Sequence, residues 1–172
     1  MSGEVGFEVK MEGLEKVMRK MKTAFSQILF ITKDGMIAGA LLLQRESQKI
    51  TPVDTGNLKA SAFTLWVGAT ISVPNFKDAG IRSKRTPQEM AKLNSVFTQA
   101  VTEATQVVNS VDRNTVIRVL VGYGAFYAIY VHERVTARHT PPGQSKFLEQ
   151  AANIHMQAIV KEVRMRSRKV LR

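Results

Sequence analysis

The chain contains no cysteine among its 172 residues. Without thiols it can form no disulfide, no zinc-thiolate site and no thiol nucleophile, so it suits a reducing compartment. Long hydrophobic runs are also missing: the most apolar run, residues 36–43, is far shorter than the ~20 residues that a membrane-spanning helix needs. Residues 1–4 lack the basic and apolar regions of a secretion signal. We therefore expect neither export nor a membrane partner.

Acidic residues are few relative to basic ones. The sequence has 25 Lys and Arg against 14 Asp and Glu, a formal net charge of +11, and only 7% aromatic residues. Such an excess favours polyanionic neighbours, nucleic acid first and an anionic membrane second. With 44% hydrophobic residues, the chain length suits one compact domain covering residues 1–172.

Three amphipathic helices are predicted from apolar residues spaced three and four apart. The first covers residues 14–50 approximately, with Gly35 and Gly39 as a candidate kink. The second follows an exposed loop, and Thr86-Pro87-Gln88-Glu89 has the layout of a capping box at its start, so loop and helix together form an insertion at about residues 74–110. The third covers residues 145–171 approximately and ends in basic side chains.

Four short segments have the composition of strands, at residues 7–11, 58–67, 116–121 and 127–133. The last two are predicted to form a hairpin across the turn Gly122-Tyr123-Gly124. The order of elements predicts an α+β fold, in which a small antiparallel sheet of three to four strands packs on one face against the long N-terminal helix, the C-terminal helix and the inserted helix.

The segment Pro52-Val53-Asp54-Thr55-Gly56 allows two interpretations. As a turn, it uses proline to preset one dihedral angle, Asp54 to accept backbone N–H bonds and Gly56 to adopt positive φ. Alternatively, Asp54-Thr55-Gly56 is the tripeptide of aspartic proteases, which a single copy could use only as a homodimer. In those enzymes the tripeptide follows a buried strand, whereas a helix precedes it here. We predict a structural turn and keep the protease as a remote alternative.

No other residue pattern indicates catalysis. His132, His139 and His155 lack metal-ligand spacing, and on a strand His132 and Glu133 point to opposite faces. A dinucleotide fingerprint or a phosphate-binding loop is also missing from the sequence. We therefore predict no catalytic residues, no metal and no cofactor.

Two basic clusters remain without an assigned role. One lies in the predicted loop and the other at the C-terminus; their members are Arg82, Lys84, Arg85, Arg164, Arg166, Arg168, Lys169 and Arg172. Solvated surface charge, favoured at the end of a helix, accounts for them as well as contact with phosphates or an acidic partner does. The sequence leaves both interpretations open, and a basic nucleic-acid-binding protein is the alternative function.

Four segments, in this order, resemble the tail-completion or minor tail family of lambdoid phages, typified by a gene-ten product. They are Phe7-Glu8-Val9 with Gly13-Leu14-Glu15, the segment from Thr51 to Ser61, the predicted strand with Tyr127, Ala128, Tyr130, Val131 and Glu133, and Phe147-Leu148 at the start of the last helix. The chain departs from the family at residues 133–136, at Lys146, where proline is usual, and in its long helix at residues 87–110.

The resemblance implies a structural virion protein without catalysis. Members form a ring, commonly sixfold, that completes the head-proximal end of the tail and joins it to the head at the neck. The implied partners are further copies of the chain, a tail tube or tail terminator protein, a head connector, and passing genomic DNA read without sequence specificity. The implied location is the virion, with assembly in the host cytoplasm.

Overall fold

This computed structural model describes residues 14–54, 56–67, 69–72, 86–110 and 117–168. Within those ranges the elements in chain order are α1 (Leu14–Lys49), α2 (Asn57–Ala60), β1 (Ala62–Trp66), β2 (Ala69–Ser72), α3 (Pro87–Asn109), β3 (Val119–Tyr123), α4 (Ala128–Glu133) and α5 (Phe147–Arg168). The α+β class is confirmed. None of the described helices is both long enough and apolar enough to cross a membrane.

The described sheet has the strand order β2-β1-β3, and both pairings are antiparallel. In the central pairing Phe63 lies opposite Gly122 and Thr64 lies opposite Val121. The Phe63 ring covers Gly122 so closely that an added Cβ would stand 2.7 Å from its Cζ atom. Glycine is therefore required there by packing rather than by a turn, and β3 continues to Tyr123, past the predicted end of this strand.

Helices pack on both faces of the sheet, so the predicted one-sided packing is wrong. On one face Phe63 meets Phe97 of α3 edge to face at 5.9 Å, within a core that also buries Leu65 and Val108. On the other face the Thr64 hydroxyl donates to Gln44 Oε1 of α1 at 2.6 Å. Alternate residues of β1 point to opposite faces and both sets are buried, which requires cover on each side.

The predicted strand at residues 127–133 is instead the short helix α4. Backbone N–H groups of Val131 and Arg134 donate to the carbonyls of Tyr127 and Tyr130, which is helical spacing. The predicted hairpin is also wrong, since β3 pairs with β1. Over so few residues an apolar sequence fits the strand period and the helix period equally well, and only the tertiary setting decides.

Other segments also differ from prediction. β2 was not predicted, and the helical turn α2 (Asn57–Ala60) takes up the first three residues of the predicted strand at 58–67. The capping box of α3 is confirmed, with Thr86 and Glu89 bonded reciprocally to each other's backbone N–H groups. The predicted strand at residues 7–11 and the predicted exposed loop at 74–85 lie outside the described residues.

Helices α1 and α5 pack antiparallel along the C-terminal part of α1. Gly35 and Gly39 do not interrupt the helix but allow this close contact: a Cβ on Gly35 would lie 2.8 Å from the Val163 carbonyl oxygen, and one on Gly39 would lie 3.0 Å from Ile159 Cγ2. The glycines therefore serve close packing between the two helices, within a helix that continues through both positions.

The carboxylate of Glu46 is buried at this helix contact, with its side chain only 8% exposed. Lys49 Nζ donates to it at 2.6 Å and Arg45 Nε at 3.0 Å, while His155 Nε2 of α5 lies 3.7 Å away. The hydrogen bond from Lys49 holds the pKa of Glu46 below its usual value, although desolvation opposes this shift. The ionised carboxylate is therefore the form that the fold favours.

Replacing Glu46 by Gln should destabilise the protein in a pH-dependent way. A carboxylate whose pKa is lowered by folding stabilises the native state above its unfolded pKa, near 4.3, and loses that contribution as the pH falls. Glu46→Gln should therefore lower the melting temperature at pH 7 and lower it less at pH 3. The exposed Glu103→Gln is the control, and an equal loss at both pH values would contradict the assignment.

The turn after α1 depends on Gly56, not on Asp54. Gly56 precedes α2 in the left-handed conformation, with φ 79° and ψ −7°, and no side-chain hydrogen bond caps α2. Asp54 is exposed and takes part in none of the hydrogen bonds between described residues. The expected capping by Asp54 is thus wrong, because the glycine conformation itself makes the reversal.

Substitutions at these two positions should separate their roles. Gly56→Ala should lower the free energy of unfolding by ~1–2 kcal/mol, the cost of the left-handed conformation for a residue with a Cβ. Asp54→Ala should change it by no more than ~0.5 kcal/mol, as for an ordinary surface position. Chemical denaturation measures both, and a larger loss for Asp54→Ala than for Gly56→Ala would refute this view of the turn.

Candidate assembly surface

Phe147, the first residue of α5, lies at the centre of a corner where several elements meet. Its side chain is fully buried, and its ring lies edge to face with those of Tyr123 and His132, each at 4.9 Å between centroids. The other members of this cluster, which we call the Phe147 corner, are Ile50, Leu58, Ala125, Tyr127, Ala128, Val131 and Leu148. Residues from three segments that are far apart in sequence, at 50–58, 123–131 and 147–148, thus pack together.

A row of buried hydroxyl groups fastens the end of α1 to the Phe147 corner. Ser47 Oγ donates to the Gln44 carbonyl at 2.9 Å, and Thr51 Oγ1 donates to the Ser47 carbonyl at 2.8 Å. Both hydroxyl hydrogens are thereby used, so the Tyr123 hydroxyl acts as donor toward Ser47, 2.7 Å away, with Thr51 Oγ1 at 3.0 Å. Burial raises the pKa of Tyr123. Thr51 and Tyr123 were placed in two separate turns from sequence, and no local pattern connects them with each other or with Ser47.

Lys146 links α4 to the start of α5. With φ 56° it donates its backbone N–H to the His132 carbonyl at 2.8 Å, and its Nζ pairs with Glu133 at 2.5 Å and Glu149 at 3.3 Å. The hydrogen bond with Lys146, followed by that with His132, lowers the pKa of Glu133. The bond to Glu133 in turn raises the pKa of Lys146. A proline at this position would have no N–H for the bond to His132 and could not adopt positive φ.

The outer side of the same corner exposes large apolar groups. Phe126 is 75% exposed, Ile129 74% and Tyr130 59%. Their three- and four-residue spacing puts them on one side of the turn that leads into α4, and we call this patch the α4 surface. Clustered exposed apolar groups of this kind mark interaction sites. Phe126 and Ile129 were missed from sequence because a strand was predicted here; helical spacing would have grouped them.

The predicted basic residues lie apart from the α4 surface where they are described. Arg164, Arg166 and Arg168 are exposed on α5, and Arg166 Nε pairs with Glu162 at 2.7 Å. Arg164 and Arg168 share a shallow depression with Lys161 and with exposed apolar residues, which are Met156, Val160 and Met165. Arg82, Lys84, Arg85, Lys169 and Arg172 lie outside the described residues.

The segment around Asp54 has the geometry of a surface turn. Val53 and Asp54 are exposed, and Thr55 lies outside the described residues. Pro52 is held against Gly143, where an added Cβ would stand 2.7 Å from Pro52 Cα, and Gln144 N–H donates to the Ile50 carbonyl at 3.0 Å. In aspartic proteases two carboxylates lie close enough to share a proton. The Asp54 carboxylate is instead exposed on a turn, which favours the structural interpretation.

The histidines bond to their immediate surroundings. His132 Nδ1 lies 2.8 Å from Glu133 Oε1, so these side chains meet on the helix rather than pointing to opposite faces as predicted. His139 Nε2 lies 3.2 Å from Ser145 Oγ, whose proton is directed to the Arg134 carbonyl at 2.6 Å and not to the imidazole. Over the described ranges, no group of three or more His, Asp or Glu residues is placed to hold a metal ion.

Comparison with known proteins gave no relative: no family model, no curated protein and no solved structure matches this chain.

Two phenylalanines of this region should respond differently to truncation. Phe147→Ala should lower the free energy of unfolding by ~3–5 kcal/mol because it leaves a cavity between Tyr123 and His132. Phe126→Ala removes the same side chain from the exposed α4 surface and should cost no more than ~0.5 kcal/mol. Urea denaturation of both variants gives the comparison. Equal losses would mean that the Phe147 corner is not the anchor described above.

Proposed function

We propose that the protein is a structural virion subunit whose copies form a ring at the head-proximal end of a phage tail, where the tail is completed and joined to the head. One observation carries this proposal. Leu58, the inner residues Tyr127, Ala128 and Val131, and residues 147–148 belong to segments that resemble the tail-completion family, are distant in sequence, and pack together in the Phe147 corner. The parts of one structural motif must lie together in space, and these three segments do.

The α4 surface supplies the contact that a ring requires. Ile129 and Tyr130 are carried by a helix of six residues, which is too short to be stable alone, and Phe126 lies just before it. The buried Ala128 and the half-buried Val131 hold that helix in place. In a cyclic ring each contact joins two different patches on neighbouring copies. The α4 surface is one such patch, and burying Phe126, Ile129 and Tyr130 against a neighbour would stabilise the ring.

The charge of the chain fits a position around DNA. The formal net charge is +11, and Lys161, Arg164 and Arg168 are exposed together on α5. Basic side chains that contact phosphates without reading bases suit a channel through which any sequence must pass. In this proposal the ring binds a tail tube or terminator protein on one side and a head connector on the other.

The ring can be tested with a variant that keeps the fold. Phe126→Asp combined with Ile129→Asp should leave the melting temperature nearly unchanged, because both side chains are mostly exposed, but should abolish the ring. Val107→Asp, on α3 and 52% exposed, is the matched control. Light scattering and negative-stain imaging with tail-tube protein provide the measurement. An unmodified protein that stays monomeric with that partner present would rule the proposal out.

A further inference from the structure

Helices α1 and α5 together line an open groove. The groove encloses about 500 Å³ and is lined along α1 by Asp34, Ile37, Ala38, Leu41, Leu42 and Arg45, with Glu162 and Arg166 of α5 on its side. Leu41 is 37% exposed in it. We call the six α1 residues of this groove the α1 stripe. Its middle is apolar, with the acidic Asp34 at one end and the basic Arg45 at the other.

The α1 stripe has the same spacing from either end. Counted in residues from the centre of the stripe, Asp34 and Arg45 are equally distant. The same holds for Ile37 with Leu42 and for Ala38 with Leu41. If an identical helix lies antiparallel across the stripe, each Asp34 meets an Arg45 of the other copy, and each Ala38 faces the larger Leu41. The centre of such a pair falls between Gly39 and Ala40. The stripe is thus complementary to itself in charge and in size.

Asp34 and Arg45, at the two ends of the α1 stripe, are available for ion pairs with a second copy of the chain. Among the described residues no basic group is within ion-pair distance of Asp34, which is exposed. Arg45 uses its Nε and Nη2 edge on Glu46, at 3.0 Å, so its other terminal nitrogen remains for a second carboxylate. On the side wall, Glu162 and Arg166 already pair with each other at 2.7 Å. A second copy therefore places opposite charges together at both ends.

We propose that two copies of this chain pair through the groove about a twofold axis, with α1 antiparallel to α1 and the two α5 helices flanking them. Such a contact is isologous, whereas a ring is built from contacts between unlike patches. The pairing is therefore a separate property of the free subunit and does not depend on the proposed role in the virion. It should persist when the α4 surface carries Phe126→Asp and Ile129→Asp.

Exchange of the two end charges tests the register directly. Asp34→Arg should raise the dimer Kd by roughly 10-fold or more, because two attractive contacts become repulsive, and Arg45→Asp should do the same. The double variant should restore a Kd close to that of the unmodified protein. Glu103→Arg, on the exposed side of α3, should leave the Kd unchanged. Sedimentation over a range of concentrations measures these values, with circular dichroism to verify folding.

Cross-linking provides a second measurement that does not depend on the charge variants. The natural chain has no cysteine, so an introduced thiol is unique. A mixture of Ala38→Cys and Leu41→Cys proteins should form a mixed disulfide faster than either protein forms one with itself, and faster than Thr98→Cys on α3. The proposal is overturned if the unmodified protein is monomeric at millimolar concentration, if the double charge variant fails to restore pairing, or if cross-linking shows no preference for the mixed pair.

Discussion

Burial of the Phe147 ring is the constraint on which the arrangement of this protein depends. The ring is in contact with Tyr123 at the end of β3 and with His132 on α4, and it begins α5. Through the Tyr123 hydroxyl, the same corner is bonded to Ser47 and Thr51 at the end of α1. The Phe147 ring and the Tyr123 hydroxyl thus fix the relative positions of α1, β3, α4 and α5.

Packing at this corner holds the exposed residues of the α4 surface in place. A six-residue helix does not persist in water by its own hydrogen bonds, so α4 keeps its shape only because its inner side is packed. Ile129 and Tyr130 on its outer side, with Phe126 just before it, are then held in fixed positions. This would reduce the entropy lost on binding the proposed neighbour. Lys146 supports the same geometry through its bonds to the His132 carbonyl and to Glu133.

Sequence alone predicted the elements whose signals are local. The apolar period of α1 extends over many turns, and the capping box at Thr86 marks the start of α3 through bonds that span three residues. The partner of β3, the helical state of residues 127–133 and the cover on both faces of β1 depend on residues far away in sequence. For the candidate site, Phe147 and Tyr127 were singled out, but Phe126 and Ile129 were missed because the wrong period was assigned.

We propose that this corner organises a subunit of the phage neck. Electron cryomicroscopy of virions assembled with this chain tests it most directly. The account predicts a ring of copies between the tail tube and the head connector, with the α4 surface of each copy buried against its neighbour. A complete neck that does not contain this polypeptide would contradict the account.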